Sequence, residues 1–122
     1  MQFRGILPVL KVTDFETSLG FYQDVLGFSM AWRSFEEGVH SAGLKLGETA
    51  VMLTNGEHVG PGKPCFTGTL YFEMTGVREF WERVNGKAPV VWPPSEMEYG
   101  TLEFGIHDVD GYTLAFSEQR AS

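Results

Sequence analysis

Val12-Thr13-Asp14-Phe15-Glu16-Thr17-Ser18-Leu19-Gly20-Phe21-Tyr22, followed by Val25-Leu26-Gly27-Phe28, decides how the chain is read. Thr13 and Glu16 stand in the S/T-x-x-E relation, in which each side chain satisfies an orphan donor of a helix's first turn. Phe15, Leu19, Tyr22 and Leu26 recur at three- and four-residue steps and form one apolar stripe. Gly27 stands where a left-handed cap is wanted. The stretch therefore predicts a helix over residues 14–26 that leaves one strand and enters another.

Reading outward, residues 6–12 form the strand before this helix, and residues 28–33, 39–46 and 49–53 form three strands after it, with Gly47-Glu48 as a turn signal. Residues 55–64 are rich in Gly and Pro and read as a linker. A strand over 67–74 leads into a second helix over 77–84, whose Val77, Phe80, Trp81 and Val84 share a face. Thr75 is its expected cap and Gly86 its stop, and Trp81 is assigned to the core. Strands over 89–92, 101–107 and 112–117 follow, the last two joined by the hairpin turn Asp108-Val109-Asp110-Gly111. The order is one βαβββ unit used twice. The expected boundaries are module one over 1–55, a linker over 56–66 and module two over 67–122, together one domain.

The chain has 122 residues, 43% of them hydrophobic and 14% aromatic, enough for a packed core. Sixteen acidic against nine basic residues give a net charge of −7, which disfavours nucleic acid and suits a neutral or cationic small ligand. No apolar run approaches the ~18 residues that cross a membrane, and residues 1–5 do not lead into a signal-peptide core. Cys65 is the single cysteine, so an intrachain disulfide is excluded, and no neighbour marks it as a nucleophile; a reduced, cytoplasmic setting is expected. Gly60-Pro61-Gly62-Lys63-Pro64 lacks the spacing of a phosphate loop.

Alternation assigns strand faces. Leu10, Val12, Val51, Leu53, Leu70, Phe72, Met74, Leu114 and Phe116 form an apolar set that packs beneath the helices. The opposite set is mixed, with Met52, Thr69, Tyr71, Glu73, Ala115 and Ser117 among its members, and suits a ligand cavity. Glu103 shares a face with Thr101 and Gly105, away from Leu102 and Phe104, as an acceptor for a ligand or a loop. The alternation does not fix the facing of His40.

The first helix signature and the run Tyr99-Gly100-Thr101-Leu102-Glu103-Phe104 with Asp108-Val109-Asp110-Gly111-Tyr112 resemble the vicinal oxygen chelate superfamily of glyoxalases, bleomycin-resistance proteins and dioxygenases. The resemblance covers nearly the whole chain. It implies an α+β fold in which two βαβββ modules, with curled mixed sheets, enclose a cavity. It also implies a homodimer with ligand grooves between subunits. Enzymes of that family hold a divalent metal at positions that match Leu7, Met52, Thr69 and Ala115 here. These side chains offer neither imidazole nor carboxylate, so no metal and no cofactor is expected.

The expected function is that of a metal-independent protein of bleomycin-resistance type that binds and sequesters an antibiotic, aromatic and cationic in character. Its expected ligand-binding residues are Trp32, Phe35, His40, Met52, Tyr71, Trp92, Tyr99 and Glu103, with the aromatics as stacking platforms. The alternative is an enzyme on the same scaffold. It would be either a metal-independent isomerase or lyase using Glu73 and Glu103 in acid–base roles, or a lyase or dioxygenase with ligands relocated to His40 or His107.

Overall fold

The computed structural model describes residues 1–120. The chain divides into two compact units, Met1–Cys65 and the part from Phe66 onward. Each is a four-stranded mixed sheet with a helix on one face, so the chain is α+β and carries a βαβββ-like module twice.

In the first unit the elements are β1 (Val9–Lys11), α1 (Phe15–Gly20), β2 (Ser29–Glu36), β3 (Val39–Leu46) and β4 (Thr49–Thr54). The sheet order is β1-β4-β3-β2, with β1 parallel to β4 and the other pairs antiparallel. Two local expectations change. The strand expected over 6–12 shrinks to Val9–Lys11, although Pro8 O and Val12 N still bond β4 at its two ends. The capping residue is Asp14 rather than Thr13: the Asp14 carboxylate accepts from Thr17 N at 3.1 Å. Beyond Gly20 the helix widens to π geometry over Phe21–Leu26 and ends on Gly27, whose φ of 92° is the left-handed cap. Gly27 N–H reaches back to Tyr22 O, five residues earlier, which is the bond that defines the wider turn. The stripe Phe15, Leu19, Tyr22 and Leu26 is fully buried, as are Leu10, Val12, Ala42, Leu44, Val51 and Leu53 of the sheet.

The second unit has β5 (Thr69–Glu73), α2 (Val77–Val84), β6 (Val90–Glu96), β7 (Thr101–His107) and β8 (Thr113–Gln119), in the sheet order β5-β8-β7-β6. Its core is aromatic. Phe104 and Phe116 lie 5.2 Å apart, Phe72 stacks on Phe116 at 5.1 Å, and Phe80 and Trp81 of α2 meet this pair edge-on. Thr75 does not cap α2. The N-cap is Gly76 at φ 80°, which offers no side chain. Glu118, on β8, accepts from Val77 N at 3.0 Å instead, and that bond, with a second from Gly76 N–H, holds its carboxyl below the usual range. Strand β6 runs through Pro93 and Pro94; as an edge strand it can lack a donor on its free side, and the pairing with β7 is irregular between Trp92 and Ser95, where the two prolines stand. The closing hairpin forms on Asp108, whose buried carboxylate accepts from Asp110 N and Tyr112 N at 3.0 and 2.9 Å.

Candidate functional site

Each sheet has a helix-covered face and an open face, and strand pairing assigns residues to them. In the first unit Gly43 pairs with Met52, and Met52 with Val9; in the second Gly105 pairs with Ala115, and Ala115 with Tyr71. These residues lie on the open faces, opposite the buried apolar set.

A tryptophan lies on each of these glycines. Trp32 pairs with Gly43 and covers it so closely that a Cβ there would stand 2.6 Å from Trp32 Cε2. Trp92 covers Gly105 in the same way, with Cε3 2.6 Å from the added Cβ. In both units a register shift comes just before the tryptophan, between Met30 and Trp32 and between Val90 and Trp92. Met30 and Val90 pair with the core residues Leu44 and Ile106, so simple alternation would turn both indoles toward the core. The extra residue of each bulge, Ala31 or Val91, rotates the indole to the open face. Trp32 is 45% exposed, and Trp92 is half-buried with its Nε1 unpartnered.

Beside the indole of the second unit lies Glu103, 1% exposed. Tyr71 Oη donates to one carboxylate oxygen at 3.0 Å; Thr101 Oγ1 and Ser117 Oγ donate to the other at 2.9 and 3.2 Å. Burial pushes the carboxyl up, but hydrogen bonds from Thr101, Tyr99, Tyr71 and Ser117 outweigh it and hold Glu103 below the usual range. The Tyr71 phenol is pushed up to about 12 by burial and by its bonds to Glu103 and Tyr99. Glu73 pairs with Ser117 on the same face and lines an open cleft of about 430 Å³ with Met74, Thr75, Thr101, Ser117 and Gln119.

The first unit is built differently at the equivalent places. Ser41 and Thr54 pair where Glu103 and Ser117 stand, and Ser41 Oγ donates to Thr54 Oγ1 at 2.9 Å. Lys11 stands in the place of Glu73 and is tied to Glu57 at 3.0 Å and to Gly60 O at 2.8 Å.

Of the residues expected from sequence, Trp32 and Met52 share the open face of the first unit; Trp92, Tyr71, Glu73 and Glu103 share that of the second, with Tyr99 in the turn beside Glu103. Phe35 and His40 do not join Trp32. They pair with each other on the helix-covered face, with the His40 ring 4.3 Å from Phe35 and 5.2 Å from Phe15 of α1. The backbone of His40 is clamped by Asn55, and its Nδ1 is buried without a partner. Alternation places Gly105, Thr101 and Ser117 on the open face of the second unit without assigning them a role, and nothing in it marks Gly43. A Trp followed eleven or thirteen residues later by Gly, once per unit, is the signal that finds the glycines.

The positions of the family's metal do not fit one. Leu7 lies ahead of β1, Met52 faces Val9, Thr69 faces Thr113 and Ala115 faces Tyr71. Among the described residues no three of His, Cys, Asp and Glu gather closely enough to hold an ion. No described helix is long and apolar enough to cross a membrane.

Comparison with known proteins gives consistent results. Residues 7–116 match the model of the Glyoxalase/Bleomycin resistance protein/Dioxygenase superfamily. No curated protein matches. Among solved structures, TioX from Micromonospora sp. ML1 superposes with a TM-score of 0.76 at 21% identity, covering 96% of this chain and 99% of that one. The bleomycin-binding protein of Streptomyces verticillus, complexed with copper(II)-bleomycin, gives 0.70 at 20% identity, covering 100% and 99%. TnmS3, an antibiotic binding protein from Streptomyces sp. CB03234, gives 0.76 at 16% identity, covering 98% of each chain.

Proposed function

This chain belongs to the Glyoxalase/Bleomycin resistance protein/Dioxygenase superfamily, and from that premise we propose that it is a metal-independent binding protein that sequesters an aromatic, cationic small molecule. The observation that carries the reading is the indole laid over a glycine on the open face of each sheet. A tryptophan fixed in this way offers a planar stacking surface at low entropic cost. The similarity to a bleomycin-binding and an antibiotic binding protein supports the antibiotic class. The donor set at Leu7, Met52, Thr69 and Ala115 supports metal independence. We place the protein in the cytoplasm as a homodimer, in keeping with its single cysteine and small size.

An acid–base enzyme finds less support. Glu103 is held anionic by neutral donors, which suits an acceptor of hydrogen bonds better than a proton carrier near neutral pH.

Titration of the full chain with metal-free bleomycin and a panel of aromatic antibiotics, followed by tryptophan emission, tests the proposal. Saturable quenching that falls in Trp32→Phe and in Trp92→Phe is expected. No binding at any subunit concentration overturns it. Native mass spectrometry of the same samples reads the subunit count and any retained metal.

A further inference from the structure

Acceptors dominate the walls of the cleft in the second unit, the Thr75 hydroxyl and the Gln119 amide being its side-chain donors. Thr101 Oγ1 and Ser117 Oγ, which line it, both turn their protons inward to Glu103. A hydroxyl has one proton and two lone pairs, so each presents only acceptor capacity to the cleft. The Glu73 carboxylate adds two further acceptor oxygens. Gln119 Nε2 is directed at Gly100 O, and its amide contributes one carbonyl acceptor and one further N–H. Behind this wall sits Glu103, a buried anion whose hydrogen-bonding partners are neutral hydroxyls. Among the described residues neither Glu103 nor Glu73 has an ion-pair partner. A buried charge without a counter-ion is costly, and Thr101 and Ser117, which bond Glu103, also line this cleft of about 430 Å³.

We propose that the cleft lined by Glu73, Thr101, Ser117 and Gln119 is a subsite for an organic cation, a primary ammonium or guanidinium group of the ligand. Such groups carry donors only and match walls rich in acceptors and in negative charge. The hydroxyls relay the negative charge of Glu103 to the cleft without exposing the carboxylate. An anion would meet the charges of Glu73 and Glu103, and a neutral amide gains no charge pairing with them. The first unit offers no second copy of the site, because its equivalent position carries Lys11 already bound to Glu57. The subsite deepens the proposed function by assigning the charged end of the ligand to one unit.

The test follows amide shifts of the isotopically labelled full chain by NMR as n-butylguanidinium, n-butylammonium, butyramide, butyrate or Ca²⁺ is added. Saturable shifts centred on Glu73, Thr101 and Ser117 are expected with the two organic cations alone. Glu73→Gln, at an exposed position, is expected to weaken butylguanidinium binding about five- to tenfold. Glu103→Gln is expected to weaken it as well, and its folding is checked from the same spectra. Equal shifts with butyramide, or with Ca²⁺, overturn the assignment, as does unchanged affinity in Glu73→Gln. Tryptophan quenching by aromatic antibiotics that persists in Glu73→Gln would leave the proposed function standing while the subsite falls. Loss of quenching in the wild type, with cation binding kept, would do the reverse.

Discussion

The two units share a frame and differ in what it holds. Each places a tryptophan over a glycine after a bulge, and each pairs that glycine with the fourth strand of its sheet. One residue before the glycine, facing the helix, the first unit has Ala42 and the second Phe104; two residues further back stand His40 and Leu102. On the open face the first unit sets Ser41, Thr54 and a bonded Lys11 where the second sets Glu103, Ser117 and Glu73. Backbone geometry thus repeats while chemistry diverges. Steric needs, a glycine under an indole and a bulge before it, are tied to the frame, whereas polar groups on the open face are free to specialise.

The largest test of this contrast lies in the cores. The first unit brings Phe15 and Tyr22 from its helix and needs only Ala42 beneath them; the second relies on Phe104 under a shorter aromatic cover. Phe104→Ala is expected to lower stability by about 3–5 kcal/mol in urea denaturation. A loss below 1 kcal/mol would mean that Phe104 does not organise the second core.

Next come the glycines. Gly43→Ala and Gly105→Ala each force an indole off the sheet and are expected to cost about 1–3 kcal/mol, with altered tryptophan emission. Similar losses at both sites would sharpen the idea of a shared frame. A change at one site alone would break it.

The anionic cluster gives a pH signature. Glu103 has a folded pKa below its ordinary 4.5, so its stabilisation is complete above that value and is lost as pH falls through the lower folded value. Glu103→Gln is expected to cost about 1–2 kcal/mol at neutral pH, and the gap to wild type should close in acid. No such pH dependence is expected from Ser41→Ala. In the same cluster Tyr71 should ionise above the ordinary tyrosine range, near pH 12, in a difference ultraviolet titration against Tyr71→Phe.

The smallest effect is a gain. His40 buries an unpartnered Nδ1 where the second unit carries the buried Leu102. His40→Leu is expected to raise stability by roughly 1 kcal/mol, read from the denaturation midpoint. A loss instead would mean that the stack of His40 between Phe15 and Phe35 outweighs the orphaned nitrogen.

Legibility from sequence followed the range of the forces involved. The stripe from Phe15 to Leu26, Gly27 and the Asp108 hairpin are set by residues within one or two turns, and all were readable. The facing of Glu103 followed from alternation in β7, which has no bulge. Alternation in β2 is broken at Ala31, which turns Trp32 to the open face; Phe35, three residues on, and His40, whose facing the sequence leaves open, lie on the helix-covered face. The cap of α2 was out of reach for another reason: Glu118 lies 41 residues from the Val77 N–H it accepts, and nothing local to Thr75-Gly76 points to it. The hydroxyls of Tyr71, Thr101 and Ser117 reach Glu103 from β5, β7 and β8, so their convergence exists only once the sheet has formed.

Pro93 and Pro94 bear on how the chain survives in a crowded solution. Strand β6 is an outer strand, and its free side is a template on which another extended chain could polymerise. Successive N–H groups of a strand point to opposite sides, so one of the two prolines removes a donor from the free side. The other falls in the register irregularity between Trp92 and Ser95, and a fibril seeded on that edge would lack a rung. A short run that looks like poor strand chemistry thus acts as a guard against aggregation, set beside Trp92 of the open face.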